Sequence, residues 1–292
     1  LPLYTSIGAF FINVFFNYVF IFGKLGAPRL EIEGAAIGTL FARLFEFAVI
    51  VGYFFTRDSK IQYCVQDLRM KCISILHEYI MVSVPVFVSD GLLALGTTVV
   101  AMIMGRISKE FVSANSITFV TQQLSTVLIQ GICHAGCIVT GHTLGKGDTR
   151  KAQEQAWTFL ELGVSIGIVA GLIILAISEP MIQAYNITDH TKNIARQLMD
   201  AMALIIVFQS ANSILTKGVL RGGGDTKFLM VADILFLWIV SIPLGALAGL
   251  YWHLSAFWIY VFLKIDQVIK AIWCVFRLKS GKWIKTIKGS KK

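Results

Sequence analysis

The chain has 292 residues, of which 56% are hydrophobic and 15% charged, with a formal net charge of +9. A water-soluble domain of this size carries about 25% charged residues, so the composition excludes a soluble fold. The apolar residues also fall into blocks close to the roughly 20 residues a helix needs to cross about 30 Å of hydrocarbon.

Eight blocks follow in chain order, at 4–22, 34–55, 79–104, 115–139, 157–177, 197–218, 228–250 and 254–276. Runs such as Val99 to Met104 do not alternate as barrel strands do. The expected fold is therefore all-α, a polytopic membrane bundle of about eight transmembrane helices.

The first two blocks form one group, 1–56, in which Arg43 and Glu46 stand one turn apart and can pair. A long polar connection at 57–74 is expected to be a cytoplasmic linker. The remaining six blocks, within 75–278, form a second group, followed by a basic tail at 279–292.

Intramembrane polar residues are costly, at roughly 2.5–3.5 kcal/mol for a charge on insertion scales. Asp90, near the middle of the third block, is therefore the foremost expected cation- or substrate-binding residue. Ser83 and Thr97 share its helical face. The fourth block carries a polar stripe at Asn115, Thr118, Gln122, Ser125 or Thr126, and Gln130. The sixth carries another at Gln209, Ser210, Asn212, Ser213 and Thr216. Such stripes either line a hydrated cavity, with Asp90 its only deep charge, or bond helices together. The expected binding set is Asp90, Gln122, Gln209, Ser210, Asn212, Arg43 and Glu46.

Other features read as structure. Gly163, Gly167 and Gly171 recur every fourth position, as do Gly245 and Gly249, marking packing seams. Pro85 and Pro243 interrupt helical backbone. Asp200 has Arg196 one turn back, Asp266 has Lys270 one turn on, and Asp233 is close enough to a helix end to reach headgroup water. Cys64, Cys72, Cys133, Cys137 and Cys274 show no paired zinc spacing and read as reduced, structural thiols. No phosphate loop, HExxH or nucleophile elbow occurs, so no enzyme activity, catalytic residue, metal or cofactor is expected.

Basic residues fix the expected topology. Alternate connections and the tail hold seventeen Lys and Arg on one side against six on the other. The richer side, with the C-terminus, is expected to be cytoplasmic, the tail meeting anionic headgroups rather than nucleic acid.

Several connections resemble those of the multidrug and toxic compound extrusion (MATE) family. Gly141-His-Thr-Leu-Gly145-Lys-Gly147-Asp148 is similar to its G-x-x-L-G-x-G-D segment, and Leu220-Arg-Gly-Gly-Gly-Asp225-Thr226 to its L-R-G-x-G-D-T turn. Gly34-Ala-Ala36 through Thr39, Arg43 and Glu46, preceded by Asn13, Asn17 and Gly23, resembles the end of the family's first lobe. Arg277-x-x-Ser-Gly-Lys-Trp283 resembles its tail. The resemblance implies two six-helix lobes, of which this chain would hold the last two helices of the first and all six of the second. About four helices would be expected before Leu1.

The resemblance further implies outward transport of amphiphilic or cationic drugs and toxic compounds, driven by inward movement of protons or sodium ions. It implies a multi-pass protein of the plasma or inner membrane, acting as a monomer. The family's carboxylates would fall near Ala94 and Ser210, where this chain has none. A lipid-linked-sugar flippase and an inactive membrane fragment are the competing readings.

Overall fold

The computed structural model describes residues 2–26, 28–57 and 73–284. It is 89% helical, with no strand among the described residues. Residues 58–72 of the expected linker, with Cys64 and Cys72, and the last eight residues of the tail lie outside them, while the linker's expected ends, Arg57, Ile73 and Ser74, are helical. The chain divides into two compact units, Leu1–Ile73 and Ser74–Lys292.

The first unit is a hairpin of α1 (Pro2–Phe22) and α2 (Glu31–Arg57). Glycines let the two backbones touch. A Cβ on Gly34 would lie 2.7 Å from the Phe20 carbonyl oxygen, so no larger residue fits without parting the helices. Phe16 stacks on Phe41 with ring centroids 4.5 Å apart.

The second unit begins with α3 (Ile73–Ile107), α4 (Lys109–Gly145), α5 (Thr149–Gln183) and α6 (Asp189–Ser213), the last continuing as a π-helical segment, Ile214–Leu220. A further rod comprises α7 (Thr226–Asp233), π-helical Ile234–Ser241, α8 (Ile242–Ala246) and π-helical Leu247–Tyr251. The wider turns flank Pro243, which has no N–H to give to the regular helical ladder. Two shorter helices, α9 (Ala256–Leu263) and α10 (Ile265–Lys279), complete the unit.

Among the described residues, seven rods are long and apolar enough to cross a membrane. The eighth expected block is instead broken at Lys264, whose φ of −120° and ψ of 10° leave the helix. Ser241 compensates for the break. Its hydroxyl donates to the carbonyls of Phe262 and Leu263 at 3.1 and 2.7 Å, satisfying groups at the end of α9 that have lost their helical partners.

The rod containing α6 is the axis of this unit. Of its apolar window 67% is buried, against 28% or less in the other rods. The expected glycine seam is what brings α5 onto it. Cβ atoms on Gly167 and Gly171 would stand 2.8 Å from Val207 Cα and 2.7 Å from the Ala203 carbonyl oxygen. Gly245 and Gly249 make similar room for Leu263 and Ile107. The outer faces of α3, α4 and α5 expose Phe87, Leu95, Leu124, Leu128 and Leu172, as lipid-facing helices do.

The family-like connections are structural devices. Asp148 caps α5 by accepting from the Lys151 N–H at 2.9 Å, after Gly147 turns the chain at φ +82°. Gly224 does the same at φ +79° before Asp225, which accepts from Arg277 Nε at 2.7 Å. The Arg277 guanidinium also lies 4.7 Å from the centre of the Phe228 ring. Trp283 is fully buried, and its indole N–H donates to Gln153 Oε1 at 2.7 Å. The first residues of the tail thus belong to the folded unit. Arg277→Met would leave the buried Asp225 carboxylate short of its charged donor and is expected to cost about 2 kcal/mol. Thermal unfolding in detergent would measure the loss, and an unchanged melting temperature would show that the pair contributes nothing.

Candidate functional site

Two adjoining cavities lie within the second unit, both walled by Thr97, Gln209 and Lys264. The larger, about 390 Å³, is lined mainly by α3 and α4, through residues that include Asn115, Gln122, Gln123, Thr126 and Gln130, with Gln209 of α6 and Tyr260 of α9. The smaller, about 250 Å³, reaches Asn212, Lys217, Arg221, Asp233, Gln267 and Lys270.

The fourth-helix stripe lines the cavity in part, bonds to another helix through Gln122, and otherwise turns back on its own helix. Asn115, Gln122, Thr126 and Gln130 face the larger cavity. Thr118, Thr121 and Ser125 are buried, and their hydroxyls donate to carbonyls one turn back on α4. Gln122 Nε2 donates to Gln209 Oε1 at 2.9 Å, tying α4 to α6 across the cavity wall. Ser210 is fully buried and donates to the Gly163 carbonyl at 2.7 Å, which places it at the α5–α6 seam.

The deepest charges form a network that sequence reading leaves in pieces. Lys270, 2% exposed, lies 3.0 Å from Asp233 Oδ1 and 3.2 Å from Asp266 Oδ2. The expected Asp266–Lys270 pair is therefore present, but Asp233 joins it instead of reaching headgroup water. Ser89 Oγ donates to the other oxygen of Asp233. Gln267 Nε2 donates to Asp266 Oδ2 at 2.7 Å, and Asn212 Nδ2 donates to Gln267 Oε1 at 2.8 Å. The chain of contacts links α3, α6, α7 and α10.

Asp90 is not the only deep charge of the unit. Its side chain is 49% exposed and pairs with Arg221 Nη2 at 3.0 Å. Asp200, expected beside Arg196, is not the partner found, because Arg196 pairs with Glu179 on α5. In the first unit, Arg43 and Glu46 pair at 2.7 Å as expected. They line a separate cavity of about 410 Å³ with Ser6, Asn13 and Thr39. Ser6 Oγ donates to Glu46 Oε1 at 3.3 Å.

The free thiols Cys133 and Cys137 are part of the packing between α4 and the α6 rod. Their carbonyls lie so close to Gly218 and Gly222 that added Cβ atoms would stand 3.2 and 2.8 Å from the two oxygens.

Comparison with known proteins places this architecture. The MatE family model matches residues 85–247. A "Multidrug resistance protein MdtK" of Yersinia pseudotuberculosis is 27% identical over 282 residues, covering 92% of this chain and 60% of the relative. A "Probable multidrug resistance protein NorM" of Thermotoga maritima is 23% identical, covering 94% of this chain and 59% of the relative. The crystal structure of a MATE protein in its straight conformation superposes with a TM-score of 0.83 at 16% identity, covering 97% of this chain and 62% of that one. The chain thus spans about three fifths of the length of these relatives.

Proposed function

Because this chain belongs to the MatE family, whose members are multi-pass membrane transporters and not enzymes, we propose that it forms part of an exporter of small amphiphilic compounds, driven by inward-moving protons or sodium ions. The observation that carries this reading is the pair of polar cavities inside the second unit, with a buried charge network at their edge. A polar cavity enclosed by membrane helices gives an amphiphile a binding place out of the lipid.

The exporter acts as a monomer with its C-terminus in the cytoplasm, a topology supported by the seventeen-to-six bias of basic residues. Asp90, paired but half-exposed, is the proposed coupling residue. It exchanges Arg221 for an entering cation, so that occupancy by the ion alters the balance between two conformations. Since Asp90 is paired with Arg221, its charge alone does not select cationic cargo.

Cells expressing the protein are expected to accumulate less of an amphiphilic dye than cells without it. The panel comprises ethidium, dansylglycine and dansylglycine methyl ester, and the difference should vanish when proton and sodium gradients are collapsed. Equal accumulation of all three dyes in both cell types would rule out the export reading.

A further inference from the structure

The larger cavity has one charged residue in its wall, and it is a lysine. Around Lys264 the lining is neutral: Asn115, Gln122, Gln130 and Gln209 offer amides, and Tyr260 a hydroxyl. Lys264 makes no side-chain hydrogen bond and no ion pair within 4 Å of any described residue. The two carboxylates of the neighbouring network are already committed to Lys270.

A lysine at the end of a helix is commonly stabilised by the helix's last carbonyls. Those of α9 are taken. Ser241 donates to Phe262 and Leu263, and the backbone N–H of Lys264 itself bonds with Tyr260 and Val261 at 3.1 and 3.2 Å. Asp266, two residues on, turns its Oδ2 to Lys270 and to the Gln267 amide and does not reach Lys264 within 4 Å. Lys217 lines the adjoining cavity and likewise has no carboxylate within 4 Å among the described residues, whereas Arg221 is matched by Asp90. The two cavities together therefore present two unmatched ammonium groups and no unmatched carboxylate facing the larger one.

An ammonium group shielded from water is stabilised by an anionic hydrogen-bond acceptor, and such charge-assisted bonds are about twice as strong as neutral ones. We propose that Lys264 is an anion subsite, and that the cavity takes an amphiphile carrying a carboxylate or phosphate group, its neutral body lying against the amides and Phe119. This rests on the export reading for the direction of transport but not for the binding itself. The anion can be carried by a free solute or by a lipid headgroup, and the chemistry at Lys264 is the same for both.

The test is equilibrium binding to the purified protein in phosphatidylcholine nanodiscs, with the fluorescent acid dansylglycine and its neutral methyl ester as probes. Wild type is expected to bind the acid about tenfold more tightly than the ester, the change that roughly 1.4 kcal/mol of charge-assisted bonding produces. Lys264→Gln should bring the two probes to equal affinity, and Lys264→Arg should keep the preference. Binding of the ester, which needs no lysine, reports that a variant still folds around its cavity, and Lys264→Met replaces the glutamine variant should that one fail. Equal affinities in wild type, or a preference that survives both neutral substitutions, would overturn the proposal.

Repeating the measurement in discs containing phosphatidylglycerol identifies the source of the anion. Competition by the lipid assigns the subsite to headgroups, and undiminished dansylglycine binding assigns it to solutes. Because no ion gradient is involved, absent dye efflux with an intact acid preference would defeat the export reading alone. Efflux without any preference would defeat only the anion subsite.

Discussion

Lys270→Met is expected to lower the stability of the second unit by about 3–5 kcal/mol, the usual cost of removing one member of a buried ion network. The methionine fills much of the same volume, so the loss is electrostatic. Asp233 and Asp266, 15% and 2% exposed, would be left with no cation within 4 Å among the described residues. Among the described residues, the Ser89 hydroxyl and the Gln267 amide would remain to serve them. Adding Asp233→Asn and Asp266→Asn to Lys270→Met should restore most of the loss, because a neutral hydrogen-bonded cluster carries no unmatched charge. Thermal unfolding in detergent of the single and triple variants checks both steps. A single variant that melts with wild type would show that the three charges contribute no net stability where they meet.

This network marks the limit of what the sequence makes legible. The all-α membrane fold follows from composition and block length alone, and the glycine seam of α5 is plain from its four-residue period. Asp266 and Lys270 are recognisable as a pair because one helical turn brings them together. Asp233 is 33 positions before Asp266, and its meeting with Lys270 depends on how α7 and α10 pack, which no local spacing encodes. The break at Lys264 is similarly hidden, since the surrounding apolar run reads as continuous helix. The signal available in the sequence was the lysine itself, an unbalanced charge within a block otherwise long enough to span the bilayer.

The polar stripes were legible as stripes but not in their roles. On α4, Thr and Ser can return their hydroxyls to the helix's own carbonyls, as Thr118, Thr121 and Ser125 do. Gln122 and Asn115 have longer or more demanding amides and turn toward the cavity. The motifs that carry the family resemblance have a different fate again. Gly147, Asp148, Gly224, Asp225, Arg277 and Trp283 cap helices, turn the chain and fasten the tail. They identify the architecture because they build it, and they say little about what passes through it.

Asp90→Asn is expected to abolish ion-driven efflux, and its pairing with Arg221 makes the result interpretable. With side chains 49% and 31% exposed, the Asp90–Arg221 bridge is worth at most about 1 kcal/mol of stability. Neither Asp90→Asn nor Arg221→Gln should therefore unfold the protein. If the bridge is only a strut between α3 and the α6 rod, the two substitutions remove the same contact and should reduce efflux equally. If Asp90 is the coupling carboxylate, they differ. Asparagine cannot take up a proton in this role and offers no charge to sodium, whereas Arg221→Gln leaves the carboxylate free for the ion and removes only its competitor. Efflux should then persist in Arg221→Gln at a reduced rate, still dependent on the gradient, and vanish in Asp90→Asn. Dye accumulation measured at matched membrane expression separates these outcomes, and undiminished efflux in Asp90→Asn would remove Asp90 from the coupling role.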